Sequence, residues 1–271
     1  MHAIDQFIEN FQLESLQMQW QAPWFTLSIN RLQQKNALNR ELVQTLLNTL
    51  SFVEAQQEIR GLIITGQAGI FCAGADIQEM AKVRQGGTLA LADNNQLYGQ
   101  MIHRLHLCRV PTFALVDGPA LGGGMGLVCA TDFILCTEKA LFGMPEPKIG
   151  VIAGQIMPHV LRKLGLVKTQ NMSLQGLNIS GKQAFEWGFI NEYFADIQAM
   201  QQGLKKYLQN ISQCAPGALS NTKALINTAT QVSATDIKAL AHQVAHASMS
   251  AEGIEGGMAF LQKRQPQWSQ K

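Results

Sequence analysis

Three short stretches hold the residues best suited to chemistry. The first, FCAGADI at 71–77, sets Ala73, Gly74 and Ala75 where a ligand can approach the main chain closely, with Asp76 placed to cap the turn that follows. The second, LVDGPALGGGMGLVCATD at 115–132, runs from an apolar strand through Gly122, Gly123 and Gly124 into the start of a buried helix. The first N–H groups of such a helix are unpaired and favour negative charge. No Gly-Lys-Ser/Thr follows and GxGxxG is not satisfied, so neither nucleotide fingerprint applies; an anion of another kind, such as an enolate oxygen, fits. The third, FGMPEPKIGVIAGQIMPHVL at 142–161, brackets Glu146 between Pro145 and Pro147 on a stiff, non-helical segment. A carboxylate pinned this way, when partly desolvated, serves as general acid or base. One backbone donor from each of the first two stretches would form an oxyanion hole, each donor worth about 3–4 kcal/mol of barrier. Taken singly, each stretch also has a plain reading: a tight connection, a helix start, a solvated loop glutamate.

The remaining candidates are weaker. His103 and His106, and His242 and His246, have helical spacing for metal ligation, but neither pair has a carboxylate or cysteine at a matching offset, so no metal is expected. No GxSxG elbow supports a serine hydrolase. His159 follows the Glu146 segment and is a candidate for facing the pocket and reading a substrate carboxylate. Asp93 and Tyr98, on a segment read as mobile between Ala81 and Gly99, are candidates for shaping that pocket, with loop solvation as the alternative. The net charge of +2 comes from scattered Lys and Arg, apart from Lys263–Arg264, and gives no case for nucleic acid or a membrane surface. Five cysteines without a CxxC pair fit reduced thiols. The N-terminus lacks the basic and apolar regions of a signal peptide, and no run reaches the ~20 apolar residues of a membrane span. A cytoplasmic location is expected.

The elements that must position these residues alternate over the first two thirds of the chain. WFTLSI (24–29), GLIIT (61–65), TFALV (112–116) and FILC (133–136) read as strands. Asn39 caps a predicted helix with Leu42, Leu46, Leu50 and Val53 along one stripe, and a second helix occupies much of Leu89–Cys108. Strand–helix–strand alternation predicts a largely parallel, covered α/β sheet. From about Ala218 the chain reads as consecutive helices, so the division expected is a core at 1–200 and a helical appendage at 201–271.

FCAGADI, ALGGGMGL and FGMPE, in this order, together with the closing FLQKRQPQW, resemble the crotonase (enoyl-CoA hydratase/isomerase) superfamily from about Thr26 to Trp268. The resemblance implies an α/β spiral of ββα turns with a C-terminal helical trimerisation region, a homotrimer or dimer of trimers, and an acyl-CoA substrate with no separate cofactor. By position, Ala75 and Gly123 match the oxyanion-hole amides that hold the thioester. Ala73 and Ile77 match the pocket around the adenine of coenzyme A, Lys35 and Ala37 the other CoA-lining segment, and Asp76 and Gly122 complete the binding set. Phe260 and Lys263 match positions that touch CoA, commonly on a neighbouring subunit. The proline of the usual NRP is missing from INRLQQKNALN.

Typical hydratases of this superfamily carry two catalytic glutamates. Glu146 matches the second; the first falls at position 126, which is glycine. Isomerases often work with the second glutamate alone, which makes a Δ3-Δ2 enoyl-CoA isomerase the rival reading. A subset of bacterial hydratases acting on 3-branched, carboxylate-bearing enoyl-CoAs also resembles this chain at position 126. GMGLV, PEPKIGVIAGQIMPHVLRKLG and EGGMAFLQKRQPQW are similar to isohexenylglutaconyl-CoA hydratases of acyclic terpene breakdown, with 3-methylglutaconyl-CoA hydratases of leucine breakdown as relatives. On that reading Gly126 leaves space for a C3 branch. A non-catalytic acyl-CoA-binding or RNA-binding member is disfavoured by the retained Glu146 and the lack of a basic stripe.

Overall fold

Trp24–Ile29 forms strand β2, in which Phe25, Leu27 and Ile29 are buried while the residues between them are half-buried. β1 (Leu16–Gln21) runs antiparallel along one side, pairing Leu16 with Ile29 and Gln21 with Trp24. β3 (Gly61–Gly66) pairs with the other side in parallel, and β4 (Thr112–Val116), β6 (Phe133–Thr137) and β9 (Glu192–Phe194) continue the parallel sheet. The order is β1-β2-β3-β4-β6-β9. A second, three-stranded sheet is made by β5 (Pro119–Leu121), β7 (Leu141–Gly143) and β8 (Asn178–Ser180). This computed structural model describes residues 3–228 and 250–269, with the side chains of Phe260 and Leu261 outside that description.

The spiral is visible in two successive turns. β4 and β5 lead into α5 (Gly123–Ala130); β6 and β7 lead towards α6 (Met157–Gln175), which is broken at Gly165. β4 lies beside β6 in the long sheet, and β5 lies beside β7 in the short one. Each turn thus adds one strand to each sheet and one helix, α5 being buried beneath α4 (Gly87–Leu107) and α6. The helix predicted after Asn39 is α2 (Arg40–Ala55), capped by the Asn39 side chain accepting from Leu42 N and burying the predicted stripe.

Two expectations are corrected. The segment 81–99 is not an open loop: α3 (Ile77–Arg84) and α4 cover it almost entirely, α3 lying against α4, and α4 buries Asn94, Tyr98 and Met101. The boundary at 200/201 cuts through a helix, Ile197–Ser212, whose Met200, Leu204 and Ile211 pack on Ile63, Phe113, Leu115 and Leu135 of the long sheet. That helix, α8 after α1 (Ala3–Phe11) and α7 (Gly181–Glu186), belongs to the core. The helices beyond it are α9 (Pro216–Thr228) and α10 (Ala251–Leu261). Lys223 of α9 reaches the Val110 carbonyl at 3.1 Å and Asp132 Oδ2 at 2.6 Å. The helix expected over 234–249, with His242 and His246, lies outside the described residues. Among the described residues no helix is long and apolar enough to cross a membrane.

Candidate active site

Two backbone amides meet where the first two motifs touch. Leu38 pairs with Ala75 in an isolated parallel bridge: Leu38 N donates to the Gly74 carbonyl at 2.7 Å and Asp76 N donates to the Leu38 carbonyl at 2.9 Å. A parallel bridge uses the groups on either side of Ala75 and turns Ala75's own N–H away from Leu38. Tyr98 reinforces the arrangement, its buried hydroxyl donating to the same Leu38 carbonyl. From the other motif, Gly122 turns the chain at φ 52°, ψ −117° from β5 into α5, and Gly123 is the first helical residue. Its N–H is one of the four that have no partner within the helix.

A Cβ built on Gly123 would lie 3.6 Å from Ala75 N, so the two amides are neighbours. The approach requires glycine at position 74, which sits at φ 101° and whose Cβ would fall 2.9 Å from the Leu121 carbonyl oxygen and 3.3 Å from Gly123 N. Cys72 stitches the motifs together through a bridge to Ala120, its carbonyl accepting from Leu121 N at 2.9 Å. Among the described residues, neither Ala75 N nor Gly123 N donates to a protein acceptor.

Glu146 faces this pair across Gly122. Pro145 and Pro147 hold it at the start of a single 3-10 turn, Glu146–Ile149, ended by Gly150 at φ 72°. A Cβ on Gly122 would come within 3.0 Å of Glu146 Oε1, so the carboxyl lies against bare backbone one residue from the Gly123 amide. Glu146 Oε2 is buried without a hydrogen-bond partner among the described residues. Burial pushes the carboxyl pKa above its ordinary value, and a bond from its own backbone N–H offsets this only in part. Two free amides beside an unpartnered, proton-accepting carboxyl can stabilise an enolate oxygen while moving a proton at a neighbouring carbon.

The other predicted residues divide. Lys35 is exposed at φ 51° and its carbonyl accepts from Ala73 N at 3.1 Å, which brings these two together; Ile77 is 68% exposed two residues beyond Ala75. Ala37 is buried and gives its carbonyl to Arg31. Asp76 is not free to bind substrate. Its Oδ1 caps α3 by accepting from Gln78 N and Glu79 N, and its Oδ2 is paired with Arg31 at 2.9 Å. Burial works to raise its pKa, but Arg31 and the two amides outweigh that and hold it below the ordinary value. Lys263 is exposed just after α10, and no hydrogen bond or ion pair among the described residues links it to the cleft. Phe260 falls on α10, its side chain outside the described residues.

Gly126 does not border open space. A Cβ there would meet Ile156 Cγ2 at 2.2 Å and Ile102 Cδ1 at 3.5 Å, so isoleucine fills the volume expected for a substrate branch. His159 is also reassigned. It is buried, T-shaped against His106 at 5.1 Å between ring centroids, with His103 at 6.3 Å. Burial, then Arg162 and His103, push its pKa down to about 4. The resulting neutral ring is a poor reader of a carboxylate. His106 Nδ1 accepts from Arg162 at 2.9 Å, which commits that ring to packing as well. Asp93 is exposed. Reading the sequence missed Arg31, Ile156 and Asn94, the last buried on α4 with its Oδ1 unpartnered among the described residues. Nothing local in the sequence marks any of the three.

Residues 23–271 match the enoyl-CoA hydratase/isomerase family model, and the chain belongs to that family. Its structure is similar to that of AtuE from Pseudomonas aeruginosa, with a TM-score of 0.92 and 34% identity over 95% of this chain and all of that one. In sequence it is 31% identical over 242 residues to the 2,3-dehydroadipyl-CoA hydratase of Escherichia coli, covering 89% of this chain and 92% of that protein. It is 28% identical over 249 residues to the mevalonyl-coenzyme A hydratase of Aspergillus fumigatus, covering 89% and 90%. The crotonase-type fold and membership of the enoyl-CoA hydratase/isomerase family are thereby fixed.

Proposed function

We propose that the protein adds water to a 3-branched, carboxylate-bearing enoyl-CoA, isohexenylglutaconyl-CoA or 3-methylglutaconyl-CoA, giving a 3-hydroxy-3-substituted glutaryl-CoA. The observation behind the chemistry is a half-buried glutamate, Glu146, whose buried carboxyl Oε2 lacks a partner among the described residues. It is set across Gly122 from the free amides of Ala75 and Gly123, with glycine in place of a second carboxylate. The choice of a branched, carboxylate-bearing ester rests on the likeness of the motifs to isohexenylglutaconyl-CoA hydratases. Glu146 takes a proton from water as the water oxygen bonds to C3. The electron pair of the double bond moves to the thioester oxygen, where the two amides hold it. Glu146 then returns a proton to C2, so one water is added in all. Two relatives lend support by name: one acts on a thioester with a second carboxylate, the other on a thioester branched at C3. The reading includes a cytoplasmic homotrimer or dimer of trimers, checked by light scattering.

The lone carboxyl equally suits a Δ3-Δ2 enoyl-CoA isomerase, which needs only one proton shuttle. Product analysis separates the two. Absorbance at the enoyl-thioester band is followed with 3-methylglutaconyl-CoA, isohexenylglutaconyl-CoA and crotonyl-CoA in parallel, and with a 3-enoyl-CoA. Fast loss with a glutaconyl ester and little with crotonyl-CoA is expected; gain from the 3-enoyl ester alone would establish the isomerase. In either case Glu146→Gln lowers kcat by about 10²–10⁴-fold. Full activity of that variant on every ester would remove Glu146 from the mechanism.

A further inference from the structure

Positions 122 and 126 lie one helical turn apart, and both are glycine. Gly126 N donates to the carbonyl of Gly122, the cap of α5, at 3.0 Å, so the two bare Cα atoms lie one turn apart at the start of the helix. The segment carrying Glu146 is held against that turn at both ends. At its start a Cβ on Gly122 would meet Glu146 Oε1 at 3.0 Å; at its end a Cβ on Gly126 would meet Ile156 Cγ2 at 2.2 Å and Ile156 Cβ at 3.0 Å. Between these anchors the chain runs out to the surface, Ile152 being 90% exposed, and returns at Ile156, which is 6% exposed.

We propose that Ile156, seated on Gly126, is a positioning residue that holds the Glu146 segment against the oxyanion cleft, residues 126 and 156 forming a size-matched pair. The inference rests on Glu146 being the proton-moving group, as argued above. Isoleucine is stiff at χ1 and cannot swing its Cγ2 aside without leaving its rotamer. A side chain at 126 therefore lifts the far anchor of the segment. A carboxylate cannot simply be returned to this position, and Gly126→Glu gives a less active enzyme unless residue 156 is made smaller.

The test compares Gly126→Ala, Ile156→Ala and the double variant in two ways. Kinetics use the ester that the wild type turns over fastest; titration of the Glu146 carboxyl by carbon NMR uses the ligand-free protein. Gly126→Ala is expected to lower kcat about 10²-fold, the scale of a 1 Å misplacement, with KM nearly unchanged. Its Glu146 titration moves down towards the ordinary glutamate value as the carboxyl gains water. The double variant recovers about tenfold of the lost kcat and restores the titration, the coupling expected of residues in contact. A clash of merely structural consequence would lower stability without moving the titration or separating kcat from KM. Wild-type kcat and titration in Gly126→Ala, or no recovery in the double variant, overturns the proposal. If the wild type turns over no ester, the hydratase reading fails, and the titration alone decides the pair.

Discussion

Gly74 illustrates how much of this site is decided by a missing side chain. Its φ of 101° and the 2.9 Å and 3.3 Å distances from its would-be Cβ to the Leu121 carbonyl and Gly123 N mean that an added methyl intrudes where the two motifs meet. Gly74→Ala is therefore expected to lower kcat by about 10²–10³-fold through displacement of an oxyanion donor. A loss of stability of about 1–3 kcal/mol from the left-handed backbone accompanies it. Steady-state kinetics beside a urea titration check both, and a variant that loses stability but keeps its kcat would show that the amides do not form the hole. The three stretches that hold Ala75, Gly123 and Glu146 stand out in the sequence because glycine runs and flanking prolines dictate local backbone, whereas the roles expected of Ala75 and Gly123 came from the family resemblance. The surroundings of Asp76 and Gly126 were not legible there. Arg31 and Ile156, which decide those surroundings, lie 45 residues before Asp76 and 30 after Gly126, and no local pattern announces a distant partner.

The same limit governs the elements. β2, β3, β4 and β6 and helix α2 followed from periodicity and a cap, and the structure places them within a residue or two of their predicted ends. β5, β7, β8 and β9 have three residues each, too few for any period to register. They form the short sheet and the far edge of the long one, and they matter because β5 delivers Gly122 to Glu146. α3 begins at Asp76, whose carboxylate holds two amides of its first turn and the half-buried Arg31. Asp76→Ala removes the cap and leaves that guanidinium with the Ala37 carbonyl but without its carboxylate partner. A loss of about 2–4 kcal/mol is expected. KM for the CoA ester rises more than kcat falls, because Ile77 and Ala73 flank the cap while Glu146 is held from another segment. Chemical denaturation and KM measurement test this, and a fall in kcat alone would place Asp76 in the chemistry instead.

Across the whole molecule, the C-terminal helices are tied to the body by charge as well as by packing. Arg60, at the start of the long sheet, donates to the carbonyls of Ile211, Ser212, Cys214 and Trp268. Asp132 accepts from Thr112 N at 2.8 Å and from Lys223 Nζ of α9, while Lys163 Nζ bonds its carbonyl at 2.9 Å. Beside this cluster are His106, faced by Arg162, Lys223 and His159 with Asp132 as the opposing charge, and His159, faced by Arg162 and His103. For both rings burial is the leading cause, followed by Arg162, and each pKa falls from 6.5 to about 4. The sign follows from linkage: between these values the unfolded chain binds protons that the folded chain refuses, so stability rises with pH across the window. Their contribution is complete above pH 6.5 and lost as pH falls towards 4. Thermal melts from pH 7.5 to 4.5 should therefore show Tm dropping in the wild type more steeply than in His106→Asn/His159→Gln, which keeps polar, non-titrating groups in both places. Parallel slopes in the two proteins would assign the acid loss to carboxylates elsewhere and mean that the histidines take up protons alike in the folded and unfolded chains.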